Sequence, residues 1–161
     1  MIARGSLISF LSLFAMLQAM AVRGDDSARQ MTLAEGNLVV QAPAGWRKVK
    51  PRSRIIEYEF SAKAAEGDKQ DARITVMGAG GSIEANVARW QGQFMQPDGR
   101  STKERTKVEK HEIAGCDIRL VDIRGTFKDK PGGPFSREPV TERPKYRMLS
   151  VIVITPKYGQ Y

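Results

Sequence analysis

The sequence predicts an α+β fold, with a largely antiparallel sheet and one amphipathic helix, about residues 82–94, packed on one face of it. Several short segments alternate apolar and polar residues, which is the period of strands with one buried face. A single segment has the helical period instead. Its apolar residues follow at spacings of four, three and four and fall on one side of a helix: Ile83, Val87, Trp90 and Phe94.

Residues 1–21 have the pattern of a secretory signal peptide. One cation, Arg4, precedes an apolar run over residues 7–17, and the small residues Ala19 and Ala21 predict cleavage after Ala21. The run is short for a membrane span of roughly twenty residues. We therefore expect a periplasmic or extracellular protein, with a membrane anchor over residues 5–22 as the alternative. Loss of Arg4 would lower the net charge from +8 to +7.

The rest of the chain predicts a tether and one domain. Residues 22–36 are polar and lack a period, which favours a flexible tether. Residues 37–161 are enough for a single domain that buries a core without disulfides, and Cys116 is the only cysteine. No residue pattern calls for a cofactor.

The predicted sheet opens with a turn at residues 42–45, which leads Trp46 into a strand. A dense run of cations follows, and we name these residues as candidates for binding an anionic group: Arg47, Lys48, Lys50, Arg52 and Arg54. Such a cluster attracts polyanions, although a charged face that only aids solubility is the simpler interpretation.

The next strand, residues 55–60, alternates an apolar face with two carboxylates, Glu57 and Glu59. Paired carboxylates can act as acid and base when their pKa values differ. The alternation favours a simpler interpretation, in which both glutamates face solvent and Ile56, Tyr58 and Phe60 face the core. Residues 61–72 are predicted to form a loop.

A glycine-rich loop joins the strand at residues 73–77 to the helix, and its candidate anion-binding residues are Gly78, Gly80, Gly81 and Ser82. Free backbone amides before a helix can bind a phosphate, and Ser82 suits the N-cap position. However, the loop lacks both the Lys-Ser/Thr ending of a P-loop and the spacing of a dinucleotide fingerprint. We interpret the glycines as a tight turn.

Residues 107–113 and 116–127 predict a hairpin with Ala114-Gly115 as its turn. This register places Ile113 opposite Cys116 and His111 opposite Ile118, on one face. Cys beside His can form a nucleophilic or metal site. With one His and one Cys in the chain, we expect neither catalysis nor a metal here, but a half-buried His beside a buried thiol.

The C-terminal part predicts a proline-rich loop over residues 128–144 and a strand over residues 146–155. Because apolar residues occupy both odd and even positions between Leu149 and Ile154, that strand should be central and covered on both faces. A central strand needs a neighbour on each side, so we expect the chain to be truncated and a further strand to be missing.

These features resemble small exported bacterial proteins of the PsbP-like α/β sandwich type. The matching residues are Ala42-Pro43-Ala44-Gly45-Trp46 at the opening of the sheet and Ile113-Ala114-Gly115 in the hairpin, with RSRIIEYEF, RITVMGAGGS, GGPF and YRML as further local signatures. The resemblance covers most of residues 38–161 and marks no catalytic residue. It implies a further strand and a closing helix, and a non-enzymatic accessory or binding role.

The sequence thus favours an exported, non-enzymatic domain that binds a protein or an anionic envelope component, with nucleic acid an unlikely partner. Two alternatives stay open. One is a basic module that binds an anionic envelope polymer or a membrane surface through the five cations. The other is an enzyme that binds a phosphate-bearing ligand at the loop from Gly78 to Ser82.

Overall fold

The computed structural model describes residues 29–130 and 137–161. Most of this chain is antiparallel sheet and helices are few, in agreement with the coarse prediction. The predicted signal peptide and the first part of the predicted tether lie outside the described residues. The chain divides into two compact units, Met1–Thr75 and Val76–Tyr161, where the sequence predicts one domain. Within the described residues, no helix combines the length and apolarity needed to span a bilayer.

The described part of the first unit begins with a hairpin, β1 (Gln30–Leu33) and β2 (Leu38–Gln41), closed by a 3-10 turn over Ala34–Gly36. The predicted tether over residues 22–36 is therefore corrected from Gln30 onward. Met31 and Leu33 are buried on alternate positions of β1. Two apolar residues in a polar segment are too few for a period-two pattern to stand out.

Three further strands follow in the order β3–β4–β5: β3 (Trp46–Val49), β4 (Tyr58–Ala62) and β5 (Ala72–Val76). The predicted turn before Trp46 is confirmed, since the Trp46 N–H donates to the Pro43 carbonyl at 3.0 Å. The Trp46 ring lies 6.0 Å from the ring of Phe60, which is buried. β4 starts three residues later than predicted and extends into the predicted loop.

The second unit contains the predicted helix, α1 (Ile83–Gln91), whose N-cap is Ser82. The Ser82 Oγ accepts the Ala85 N–H at 3.1 Å, and Val87 and Trp90 pack against a buried sheet cluster. The helix ends at Gln91, not at residue 94. Phe94 belongs instead to a short strand, β6 (Phe94–Met95), which carries its ring into the same cluster.

The rest of this unit is a meander. After the short helix α2 (Thr102–Arg105), its strands are β7 (Lys107–Ile113), β8 (Cys116–Asp129), β9 (Thr141–Thr155) and β10 (Gly159–Gln160). β8 lies between β9 on one side and both β7 and β6 on the other. The predicted hairpin is confirmed with its register. Ala114 and Gly115 have φ values of 52° and 75°, as a type I′ turn requires.

A bulge interrupts the β8–β9 pairing between Gly125 and Phe127. In the sequence, the apolar residues of β8 change from even to odd positions between Leu120 and Val121, yet the β8–β9 register is continuous there. Val121 is buried in the helix-covered cluster, whereas Leu120 is half-buried on the opposite face. The phase change therefore reflects partial burial on both faces of β8.

β9 differs from the prediction of a strand covered on both faces. Ile152 is 1% exposed, but Leu149 and Val151, on the other face, are 55% and 50% exposed. β8 ends at Asp129 and β9 begins at Thr141, so the segment between these strands is shorter than the predicted loop over residues 128–144. Residues 131–136 of that segment lie outside the described part. The segment after the turn forms β10, which pairs with Ile154 and Thr155, and Tyr161 extends this pairing to Val153.

Candidate functional site

The five cations that the sequence singles out lie in one stretch, residues 47–54, which we call the basic segment. Arg47 and Lys48 are on β3, and the other three lie in the bend between β3 and β4. All five are exposed. Successive side chains of a strand point to opposite faces, so Arg47 and Lys48 do not share one surface. The Lys48 Nζ lies 4.8 Å from the centre of the Tyr58 ring.

Glu59, on β4, forms the most connected polar cluster near this segment, although its side chain is only 1% exposed. Arg73 on β5 donates to it twice, from Nε to Oε1 at 2.8 Å and from Nη2 to Oε2 at 3.0 Å. Arg52 contributes its backbone N–H, 3.0 Å from Oε2, and its Nε, 3.3 Å from Oε1. The carboxylate thus ties both β5 and the basic segment to the middle strand.

The prediction that Glu57 and Glu59 both face solvent is therefore wrong for Glu59. Glu57 is exposed as expected. A carboxylate can be buried only if hydrogen bonds and opposite charges compensate its desolvation. Arg52 and Arg73 supply both, seven and fourteen residues away in sequence.

The charge state of Glu59 excludes it as the proton donor of an acid–base pair. The hydrogen bonds from Arg73 hold the pKa of Glu59 below its usual value, and the Arg52 N–H lowers it further, against the opposing effect of burial. Glu59 is therefore ionised at neutral pH. An acid–base pair needs one carboxyl with a raised pKa to act as the proton donor.

Among the described residues, Arg52 is the one cation of the basic segment with a carboxylate within 4.0 Å. Arg47, Lys48, Lys50 and Arg54 have none. Arg47 lies near enough to Asp71 to help lower the pKa of that carboxyl, which depends mainly on hydrogen bonds from the Ala64 N–H and the Ser61 hydroxyl. The segment thus presents four exposed cations that form no ion pair with the residues that the structure describes.

The glycine-rich loop is held by Asn86, a residue that the sequence reasoning missed. The Asn86 side chain is buried, and its Nδ2 donates to the carbonyls of Gly80 and Ser82, each at 2.9 Å. The Ala79 N–H donates to the Gln160 carbonyl at 2.8 Å. These hydrogen bonds hold the glycine-rich loop in one turn conformation. In the sequence, the signal that could have found it is an Asn four residues after the N-cap serine.

The candidate loop residues keep their predicted positions before the helix. Gly81 has a φ of +80°, a conformation that favours glycine, and Ser82 caps the helix. Gly78 and Gly80 precede them. One backbone amide of this loop, that of Ala79, already has an acceptor and is not available to an anion.

His111 and Cys116 lie on the predicted face of the hairpin, but their burial differs from the prediction. His111 is exposed, with Nε2 3.2 Å from Glu109 Oε2, and the free thiol of Cys116 is half-buried. Ile113, expected to cover them, is 62% exposed. On the other face, like charges lie opposite each other across the hairpin: Lys110 faces Arg119, and Glu112 faces Asp117.

Within residues 29–130 and 137–161, no three His, Cys, Asp or Glu side chains are close enough together to hold a metal ion. A shallow, solvent-open pocket of about 290 Å³ lies at the end of β8 and β9. Its lining residues are Glu112, Gly115, Asp117, Ile154, Thr155 and Pro156. This volume is at the lower limit for small-molecule sites, which also enclose their ligands.

Comparison of the chain with protein-family models, with curated proteins and with solved structures finds no match.

Proposed function

We propose that this chain is an exported, non-enzymatic binding domain that attaches through its basic segment to an anionic polymer of the cell envelope. The observation that carries the proposal is the set of four exposed cations, without ion pairs among the described residues, within eight positions of the chain: Arg47, Lys48, Lys50 and Arg54. The Glu59 anchor supports it, because it fixes the bend that carries two of them.

Electrostatics favours a polymer over a small anion. Arg47 and Lys48 point to opposite faces of β3, so the four cations are spread around the segment and do not converge on one pocket. A polymer can contact cations in succession and gains free energy by releasing its counterions. The net charge, +8 for the full chain and +7 after loss of Arg4, adds a long-range attraction for polyanions.

Export and the finer fold rest on the sequence. The signal-peptide pattern of residues 1–21 supports delivery to the periplasm or the cell exterior. The resemblance to PsbP-like domains, which act mainly as accessory modules, supports a binding role without catalysis. An enzyme built on the loop from Gly78 to Ser82 has less support, since the Ala79 N–H already donates to Gln160.

The test is a salt titration of binding to dextran sulfate, with uncharged dextran as the matched probe. We expect binding to dextran sulfate alone, weakening as salt rises from about 50 to 200 mM. Replacing the four cations by glutamine should abolish the binding. The matched control replaces four exposed lysines of the second unit, which changes the net charge equally: Lys103, Lys107, Lys145 and Lys157.

Equal losses in the two quadruple variants would overturn the assignment to the basic segment, because only net charge would then matter. Binding to dextran and dextran sulfate alike, or to neither at low salt, would overturn the proposal altogether. Export is tested separately, by fractionating cells that produce the full chain and a variant with Leu11→Arg and Leu13→Arg in the apolar run. Equal distribution of both between fractions would contradict it.

A further inference from the structure

Arg52 differs from its neighbours in the basic segment although its side chain is 77% exposed. Its backbone N–H and its guanidinium both contact the carboxylate of Glu59. Arg54, two residues later, is also exposed and has no carboxylate within 4.0 Å among the described residues. The two arginines thus have the same side chain and are both exposed, but within the described part of the chain only Arg52 has a counter-ion.

Glu59 cannot release Arg52 without a cost, because the carboxylate is buried. Removing one partner of such a pair leaves the other charge with less compensation in a poorly hydrated place. Arg73 would still hold Glu59, but the Arg52 contact at Oε1 would be lost. A polyanion that recruited Arg52 would have to offset this loss, whereas Arg54 is available without it.

We propose that Glu59 is a positioning residue of the anion-binding surface, which retains Arg52 and Arg73 as its own partners and leaves Arg47, Lys48, Lys50 and Arg54 to contact the polymer. This inference rests on the proposed function. It assigns to Glu59 two effects: it fixes the bend through the Arg52 N–H, and it lowers the number of cations that the polymer can reach.

The salt dependence of binding reads out this number directly. The slope of log affinity against log salt grows by about 0.7–0.9 for each polymer charge that is neutralised. We expect Arg54→Gln to lower the slope for dextran sulfate by about that amount, and Arg52→Gln to leave it unchanged. The Arg52 backbone N–H can still bond to Glu59 in the second variant, so the bend should persist.

Glu59→Gln tests the inference from the other side. It removes the counter-ion, so Arg52 becomes available and the slope should increase by at least one such step, about 0.7–0.9. Adding Arg52→Gln to Glu59→Gln should reverse that step. Glu59→Asp keeps the negative charge, so this variant should have the wild-type slope if the shorter carboxylate still reaches Arg52. A residue with only a structural role would weaken binding without increasing the slope.

Each outcome separates the inference from the function on which it rests. If Arg52→Gln and Arg54→Gln lower the slope equally, Glu59 does not withhold Arg52, while the basic segment still binds the polymer. If the wild-type chain does not bind dextran sulfate, the proposed function itself fails. If it binds but Arg54→Gln leaves the slope unchanged, the inference fails. Thermal unfolding of each variant identifies any that does not fold. If Glu59→Gln does not fold, the comparison of Arg52→Gln with Arg54→Gln still decides whether Glu59 withholds Arg52 from the polymer.

Discussion

Arg73 and Glu59 form a two-point ion pair between neighbouring strands of the three-stranded sheet, with N–O distances of 2.8 and 3.0 Å. The carboxylate is buried, whereas the Arg73 side chain is 45% exposed. The pair therefore lies at the boundary of the core, where charge and hydrogen bonding both contribute to stability.

Loss of the Glu59 charge should destabilise the first unit. We expect Glu59→Gln to lower the free energy of unfolding by about 1–3 kcal/mol, because a buried acceptor loses charge-assisted bonds. The exposure of Arg73 keeps the loss below the range of a fully buried pair, about 3–5 kcal/mol. Glu66→Gln, at an exposed site, should change it by less than about 0.5 kcal/mol. Urea unfolding measures both, and equal effects would contradict the role of Glu59.

The same pair predicts a pH dependence. The pKa of Glu59 is lowered in the folded state from about 4.5, so its contribution to stability is fully present above that pH and is lost as the pH falls through the lower folded value. The stability difference between wild type and Glu59→Gln should thus stay constant from about pH 7 to pH 5 and shrink as the pH falls below about 4.5. Three aspartates with lowered pKa values, Asp71, Asp98 and Asp122, should keep some acid sensitivity in the variant. A difference that stays constant with pH would refute the assignment.

Gly125, beside the bulge of β8, should not tolerate a side chain. Its φ is +153°, and a Cβ there would come within 2.7 Å of the Met95 carbonyl oxygen on β6. We expect Gly125→Ala to cost about 2–4 kcal/mol of stability through strain and displacement of β6. At Gly80, where a Cβ meets nothing within 4 Å, alanine should cost less than about 0.5 kcal/mol. Chemical unfolding of the two variants distinguishes the sites.

Asn86→Ala should loosen the loop before α1. The carbonyls of Gly80 and Ser82 would each lose a hydrogen bond from the buried Asn86 amide, at a combined cost of about 1–3 kcal/mol. Asn37 offers a matched control, because its Nδ2 also donates to a carbonyl, that of Ala34 at 2.8 Å, but in an exposed turn. Asn37→Ala should cost about 0.5 kcal/mol, since water replaces the bond. Faster amide exchange in residues 78–86 of Asn86→Ala alone would support this, and equal exchange in both would contradict it.

The local features of the fold could be predicted because each is encoded within a few residues. Ala114-Gly115 fixes the hairpin turn and hence the pairing of Ile113 with Cys116. Ser82 and the spacing of Val87 and Trp90 place the helix and its apolar side. Its end was missed because Phe94 continues the apolar spacing of the helix while belonging to a strand.

The burial of Glu59 could not be predicted in this way. Strand alternation gives the face on which a residue lies, but not whether that face is covered, and the compensating Arg73 is on another strand. The same limit explains Val151, whose apolar neighbours suggested a covered strand although it is half-exposed. The PsbP-like type and the roles of the cations remain predictions.

The two-residue turn at Ala114 and Gly115 also has a consequence for the order in which the second unit folds. A hairpin closed by a two-residue turn can form in about 1–10 μs, before pairings that need longer loops. We expect Gly115→Val, which disfavours its φ of 75°, to slow refolding more than it speeds unfolding in a stopped-flow chevron. The opposite partition would place closure of this turn after the rate-limiting step. If the turn does close first, β8 is already in register with β7 when β9 adds to its other edge.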